Sequence, residues 1–411
     1  MNEKEENSKS FWKGLVVGLG AALLVSVLAF TSVKVYQTFR TIGNAAKKET
    51  QESVANSGTI EKLAVLEDTI QEYFWQDVTE ETLEEGIYKG ILEALDDPYS
   101  VYYTNEELME LQQETEGIYY GIGAYISQKT DMGYVQISKV IKNTPAEESG
   151  FLKDDYIYKV NGEDMLDQDS TYVVSKIKGE EGTKVVVTVI REGVDDPIDI
   201  EVERRKIETP TVEYEMLENS MAYIQIAEFD LVTASQFETA YKQAKQDGMK
   251  GLILDLRGNP GGNLSTVCDI ARMLLPKGLI VYTEDKYGER VEYTCDGSRQ
   301  IEVPMTVLTD GYSASASEIL AGAIKDYGIG TLVGTTTYGK GIVQKVINLS
   351  DGSAVKLTVS TYYTPKGNNI HKIGVIPDVE VEFDAEQYAA GVDNQLEKAE
   401  EILAEKMELT K

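Results

Sequence analysis

The sequence predicts a layered α/β domain, interrupted by a β-rich module and preceded by one membrane-spanning helix. Three observations predict it. From Ser220 onward, strand-like and helical stretches alternate (SMAYIQIAEFD, SQFETAYKQAKQDG, GLILDL, VCDIARMLL), and such alternation builds sheets covered by helices. Between Tyr119 and Arg205, short runs rich in Val, Ile, Thr and Tyr follow one another with Gly, Asn and Asp between them, the pattern of a small β module. Near the start, Gly14 to Val33 is an uncharged, mostly apolar run of 20 residues. As a helix it is about 30 Å long, the thickness of a bilayer core.

Composition narrows the function. The chain has 411 residues, enough for two or more domains, and a formal net charge of −31. That charge argues against nucleic-acid binding and for an acid-rich, soluble exterior. Two cysteines, Cys268 and Cys295, make neither a disulfide framework nor a metal site, and no metal or cofactor is expected. Cys268 lies in an apolar helical pattern and is expected as a buried thiol; pairing with Cys295 stays open.

In order, residues 1–13 are a polar N-terminus, followed by an expected anchor at 14–36 whose orientation the lysine count does not settle. A cleaved signal peptide competes with the anchor, with Val27-Leu28-Ala29 as its cleavage site. Residues 37–58 read as a polar linker and 59–116 as a helical segment, which Pro98 interrupts in LDDPYSVYY. The β-rich module spans 117–205 and the α/β domain 206–384. Residues 385–411, with DNQLEKAEEILAEKM, read as an acidic helix packed on the surface.

The chemistry concentrates between Asp310 and Gln344. Ser315-Ala316-Ser317-Glu318 has the S-x-x-E spacing of a capping box before an apolar helix. Ser315 read alone is a helix N-cap, worth about 1 kcal/mol. The same place also suits a nucleophile, because backbone N–H groups and the positive end of the helix dipole lie beside it. Its base is sought in Lys340, flanked by Gly339 and Gly341. Burial would lower the lysine's pKa from about 10.4 and free its amine. Gln344 could hold that amine only if the chain turns helically after Lys340; fully extended, it stands roughly 13 Å away. Gly334 to Lys340 spells G-x-x-x-x-G-K, but Gly341 replaces the metal-binding hydroxyl and a strand follows, so a phosphate loop is rejected. Ser175 to Lys178 spells S-x-x-K without its companion K-T-G and is read as chance.

These motifs bring a family into view. G-x-S-A-S-A-S-E at 311–318, then 25 residues from Ser315 to the lysine of Y-G-K-G-x-V-Q, resembles the carboxyl-terminal processing (tail-specific) serine proteases. LDDPYSVYY at 95–103, D-L-R-G-N-P-G-G at 255–262 and GNNIHKIGVIPD at 367–378 extend the resemblance over roughly 60–400. It implies an α/β (α+β) protease domain of the ClpP/crotonase-like type with an inserted PDZ domain. It implies Ser315 as nucleophile, Lys340 as general base and Gln344 as orienting residue. Gly262 and Ala316 would form the oxyanion hole, although the Gly-Gly pair reads equally well as a tight strand-to-helix turn. In the module, Gly121-Ile122-Gly123 would hold a peptide carboxylate, and the next strand would pair with the peptide. The module read without the resemblance binds nothing. Lys178 stands where many relatives have arginine, which leaves a regulatory role for that position in doubt.

The resemblance implies a membrane-anchored serine endopeptidase with residues 1–13 cytoplasmic and the catalytic part extracytoplasmic, taking peptides with apolar C-termini, with a homodimer left open. The alternative is an inactive PDZ adaptor that only binds C-termini. The single histidine, His371, is expected to be structural. Accordingly, His371→Gln should leave peptide cleavage within about twofold of wild type, and the pH–rate profile should show no essential base near 6.5.

Overall fold

The structure, a computed structural model, describes residues 53–128 and 130–409. The expected anchor at 14–36 lies outside them. Among the described residues, no helix is long and apolar enough to cross a membrane.

The chain divides at Glu84 into two units. In the first, helix Ser57–Tyr73 is capped by Asn56, whose side-chain oxygen accepts the Thr59 N–H at 3.1 Å. The second, Glu85–Lys411, holds the sheets.

Its central sheet has six strands. Met221–Ile226, Gly251–Asp255, Met305–Thr309, Thr331–Gly334 and Val379–Glu380 run parallel, and Val212–Met216 closes one edge antiparallel. Gly251–Asp255 and Met305–Thr309 are buried at every residue, as a strand covered on both faces must be. The two-residue period of a strand sorts their side chains. Leu252, Leu254 and Val307 join Phe237, Val267 and Leu320 in the larger core, the side of the helices Thr233–Gln246, Leu264–Ala271 and Ala316–Tyr327. Ile253, Leu308 and Val333 face the other way, onto Ala399 and Leu403 of helix Asn394–Leu409. The acidic tail is thus the second cover of the sheet. Arg257 ties it down, donating to Asp255 at 2.6 Å and to Asp393 at 2.8 Å.

A second, antiparallel sheet joins Ala354–Tyr363 to Gly278–Asp285, Arg290–Cys295 and Ile342–Asn348. Its remaining strand is Val101–Tyr103, so the segment expected as helical supplies a strand here. Cys268 and Cys295 are both buried and unpaired.

The inserted module enters and leaves through a two-stranded stem, Ile118–Gly121 against Arg205–Glu208. Inside it, Lys184–Ile190 pairs with Tyr156–Val160 and Ile198–Glu203, over a core containing Ile137, Val173, Val187 and Val202. Ile122 is buried in that core and its carbonyl accepts the Ala146 N–H at 2.7 Å. Gly123 has φ 91°, and a Cβ there would stand 2.4 Å from Thr144, so only glycine fits. Ala124–Ile126 follows and pairs only with Ile137–Val140, which leaves its other edge without a strand partner among the described residues. Lys178 sets its ammonium over the Tyr119 ring, 5.6 Å from the centroid.

The packing of the tail gives a stability test. Leu403→Ala should cost about 2–5 kcal/mol, read by chemical denaturation, because Leu403 is fully buried against the central sheet.

Candidate active site

Three neighbouring parallel strands end on one side of the central sheet. Gly251–Asp255 leads to the loop RGNPGG, Met305–Thr309 to Asp310–Ser315, and Thr331–Gly334 to Thr335–Lys340. The carboxyl ends of adjacent parallel strands are where α/β sheets open a crevice.

Ser315 is the N-cap of helix Ala316–Tyr327, with φ 52° and ψ −111°. A positive φ at a non-glycine residue costs of order 1–3 kcal/mol and persists only where the surroundings over-determine it. Here they do. Glu318, fully buried, accepts the Ser315 N–H at 2.8 Å. The Ser315 carbonyl meets the Tyr362 hydroxyl at 2.9 Å. Ala314 donates its N–H to the Asn259 carbonyl at 3.0 Å. The S-x-x-E motif thus forms a helix cap, with the Glu318 side chain on the Ser315 N–H and the Glu318 N–H on the Ser315 carbonyl at 2.9 Å.

The same two side chains hold Lys340. The Glu318 carboxylate accepts the Lys340 N–H at 2.9 Å, the Gly339 N–H at 2.7 Å and the Thr337 hydroxyl at 2.6 Å. The Tyr362 hydroxyl lies 2.7 Å from the Lys340 carbonyl. Gly341 is required, since a Cβ there would stand 2.6 Å from the His371 nitrogen. His371 packs behind the lysine loop as backbone.

Lys340 projects its amine over the Tyr99 ring, 4.2 Å from the centroid. Burial lowers the Lys340 pKa from its usual value, and repulsion from Lys356 adds to this; Asp97 and Glu318 pull the other way. Burial was expected; the contributions of Tyr99, Asp97 and Lys356 were not. Tyr99 and Asp97 come from the LDDPYS stretch, which was legible as a motif but not as part of this site.

Ser315, Ala316, Gly262 and Gln344 share the wall of one cavity of about 560 Å³. Lys340 is not among its lining residues, and no direct hydrogen bond joins its amine to Ser315 or Gln344. The helical turn on which the Gln344 role depended is absent: Gln344 lies in strand Ile342–Asn348, just after a register shift at Val343. Its amide donates to the Thr358 hydroxyl at 3.3 Å. That strand also removes the phosphate-loop reading, which needed a helix.

Ala316 is the first residue of its helix, so its N–H has no partner within the helix. Gly261 and Gly262, with φ 108° and 133°, press the glycine loop onto it. A Cβ on Gly261 would stand 2.7 Å from Ser315 Cβ, and one on Gly262 would stand 2.5 Å from the Phe229 carbonyl. The glycines are needed for this approach. Gly121, Ile122 and Gly123 belong to the separate module described above.

Comparisons with known proteins agree with this architecture. Residues 220–381 match the model of peptidase family S41, 136–191 a PDZ domain and 19–107 the N-terminal domain of the activating protease CtpB. The chain is similar to the carboxy-terminal processing protease CtpA of Bacillus subtilis, 35% identical over 342 residues, covering 83% of this chain and 73% of that one. It is also similar to CtpB of the same organism, 31% identical over 370 residues, covering 89% and 77%. Among solved structures, an S41-protease candidate from Bacteroides fragilis shares the fold, with TM-score 0.50, 18% identity and coverage of 83% and 97%.

Glu318→Gln would turn an amide N–H₂ toward two backbone or hydroxyl donors that now share one carboxylate oxygen. Each buried donor left unpaired costs about 1–3 kcal/mol. The variant should therefore unfold at clearly lower denaturant concentration than wild type.

Proposed function

Given that this chain belongs to peptidase family S41, as a serine-type peptidase with a PDZ domain, we propose that Ser315 and Lys340 form its catalytic pair. The observation that carries the reading is the strained Ser315, fixed at a helix N-terminus by the same two buried side chains that fix Lys340. Neutral Lys340 takes the proton of the Ser315 hydroxyl as its oxygen attacks the peptide carbonyl. The oxyanion that forms accepts hydrogen bonds from the N–H groups of Ala316 and Gly262. The lysine ammonium returns the proton to the leaving amine, and water then hydrolyses the acyl-enzyme by the same route. We assign Gln344 the role of orienting the amine, supported by its place on the cavity wall.

In this reading the layered core is of the ClpP/crotonase-like type, supported by its parallel strands and covering helices. The module holds substrate C-termini at Gly121-Ile122-Gly123, supported by the open edge of Ala124–Ile126. The apolar run within 14–36 supports a membrane anchor with the catalytic part outside the cytoplasm.

Cleavage of a protein substrate with an apolar C-terminus tests the pair. Ser315→Ala and Lys340→Ala should each lose at least about a hundredfold in kcat/KM; an active Lys340→Ala enzyme would end the proposal. Because the Lys340 pKa is lowered, the alkaline rise in kcat/KM should lie below that of a free lysine. Lys356→Met, which removes a like charge, should move that rise to higher pH.

A further inference from the structure

The Ser315 cavity has a wall that the catalytic reading does not use. Glu114, Glu228 and Asp230 all line it. Asp230 is only 6% exposed, yet among the described residues its carboxylate has no hydrogen-bond or ion-pair partner. Its contacts are made by backbone: the N–H donates to Thr233 Oγ1 at 2.9 Å and the carbonyl accepts the Thr233 N–H at 3.1 Å. A carboxylate this far shielded from water is normally paired, because shielding an unpaired charge is costly. Here burial, then Glu228 and Glu114, push Asp230 up to about 7, and burial with Glu114 raises Glu228 as well. Both effects are penalties that an arriving cation would relieve. Lys356 lines the same cavity, but its amine donates to the Tyr103 hydroxyl at 2.6 Å. Asp230 also stands just before helix Thr233–Gln246, where the helix dipole favours a carboxylate. That accounts for an acid at 230, but not for Glu114 and Glu228 facing it.

The wall is close to the glycine loop. Phe229, between Glu228 and Asp230, bridges to Gly262. Its N–H donates to the Gly261 carbonyl at 2.8 Å, and its carbonyl accepts the Asn263 N–H at 2.7 Å. Glu228 and Asp230 are thus each one residue, about 3.3 Å of extended chain, from a residue bonded to the loop that abuts Ser315.

We propose that Glu114, Glu228 and Asp230 form a subsite taking a lysine or arginine side chain of the peptide, within a residue or two of the bond being cut. This rests on the reading of the Ser315 cavity as the peptidase site.

The test compares C-terminally amidated decapeptides that differ only in lysine or leucine at one position. The amide removes the carboxylate that the PDZ domain would hold. The full chain should cleave the lysine peptide in preference to the leucine peptide when that position lies near the scissile bond. The ratio of their kcat/KM values should fall about tenfold in Asp230→Asn. It should also fall in Glu114→Gln, at an exposed position on helix Asn105–Glu116 where folding is not at stake. In wild type it should decline from pH 8 to pH 6, as Asp230 gains its proton. An unchanged ratio in both variants, or no preference in wild type, overturns the subsite. Should wild type cleave neither amidated peptide, the catalytic reading is judged separately, by cleavage of the protein substrate with a free apolar C-terminus. Calorimetric binding to the Ser315→Ala chain then decides: tighter binding of the lysine peptide, lost on adding Asp230→Asn, supports the subsite, and equal binding overturns it.

Discussion

The buried carboxylate of Glu318 is the interaction on which the site depends. A carboxylate withdrawn from water must find donors, and a single segment rarely supplies enough of them. Glu318 finds four, one from the serine N-cap and three from the lysine loop. Its burial is tolerable only while both segments are in place, so the two cannot shift independently. Tyr362 repeats the arrangement with the opposite polarity, its hydroxyl lying between the carbonyls of Ser315 and Lys340. With N–H and C=O of both residues held, the unfavourable backbone of Ser315 is set by its surroundings.

A second constraint arrives from far away in the sequence. Strand Val101–Tyr103 pairs with Ala354–Lys356 and brings LDDPYS to the lysine. Asp97 accepts the Ser100 hydroxyl at 2.6 Å, Ser100 in turn accepts the Thr358 N–H at 3.1 Å, and Thr358 accepts the Gln344 amide. The charge state of Lys340 is therefore set by a segment that precedes the inserted module, as well as by its own loop. Burial and Lys356 favour the neutral amine, while Asp97 and the Tyr99 ring favour the ammonium.

Much of this was legible in the sequence, for identifiable reasons. The continuous apolar run GLILDL reads as a buried parallel strand because both faces are covered. The glycines of RGNPGG announce close backbone approach, and the structure puts Phe229 and Ser315 where their Cβ atoms would be. S-x-x-E marked the helix start, but not the further partners of its glutamate. Glu318 also serves three donors across the fold, and spacing cannot reveal those. The strand at Val101–Tyr103 was missed because three residues give no period, and only the partner strand makes them a strand. Tyr362 and Asp230 sit in stretches that both read as ordinary strands; their meaning comes from what lies across the cavity. The Gln344 contact hung on a turn, and the bulge that replaced it is a property of strand pairing, not of local sequence.

The stem of the inserted module has a consequence for how such a chain could arise and be rebuilt. Ile118 pairs with Glu208, so the module's entry and exit are neighbours across a ladder, about 5 Å apart. From the standpoint of the surrounding fold, the roughly ninety intervening residues are a loop on a hairpin. Any unit whose termini lie side by side could be seated on those two strands without redrawing the sheets beneath. The inserted module is in that sense a replaceable head on a socket held together by its own packing.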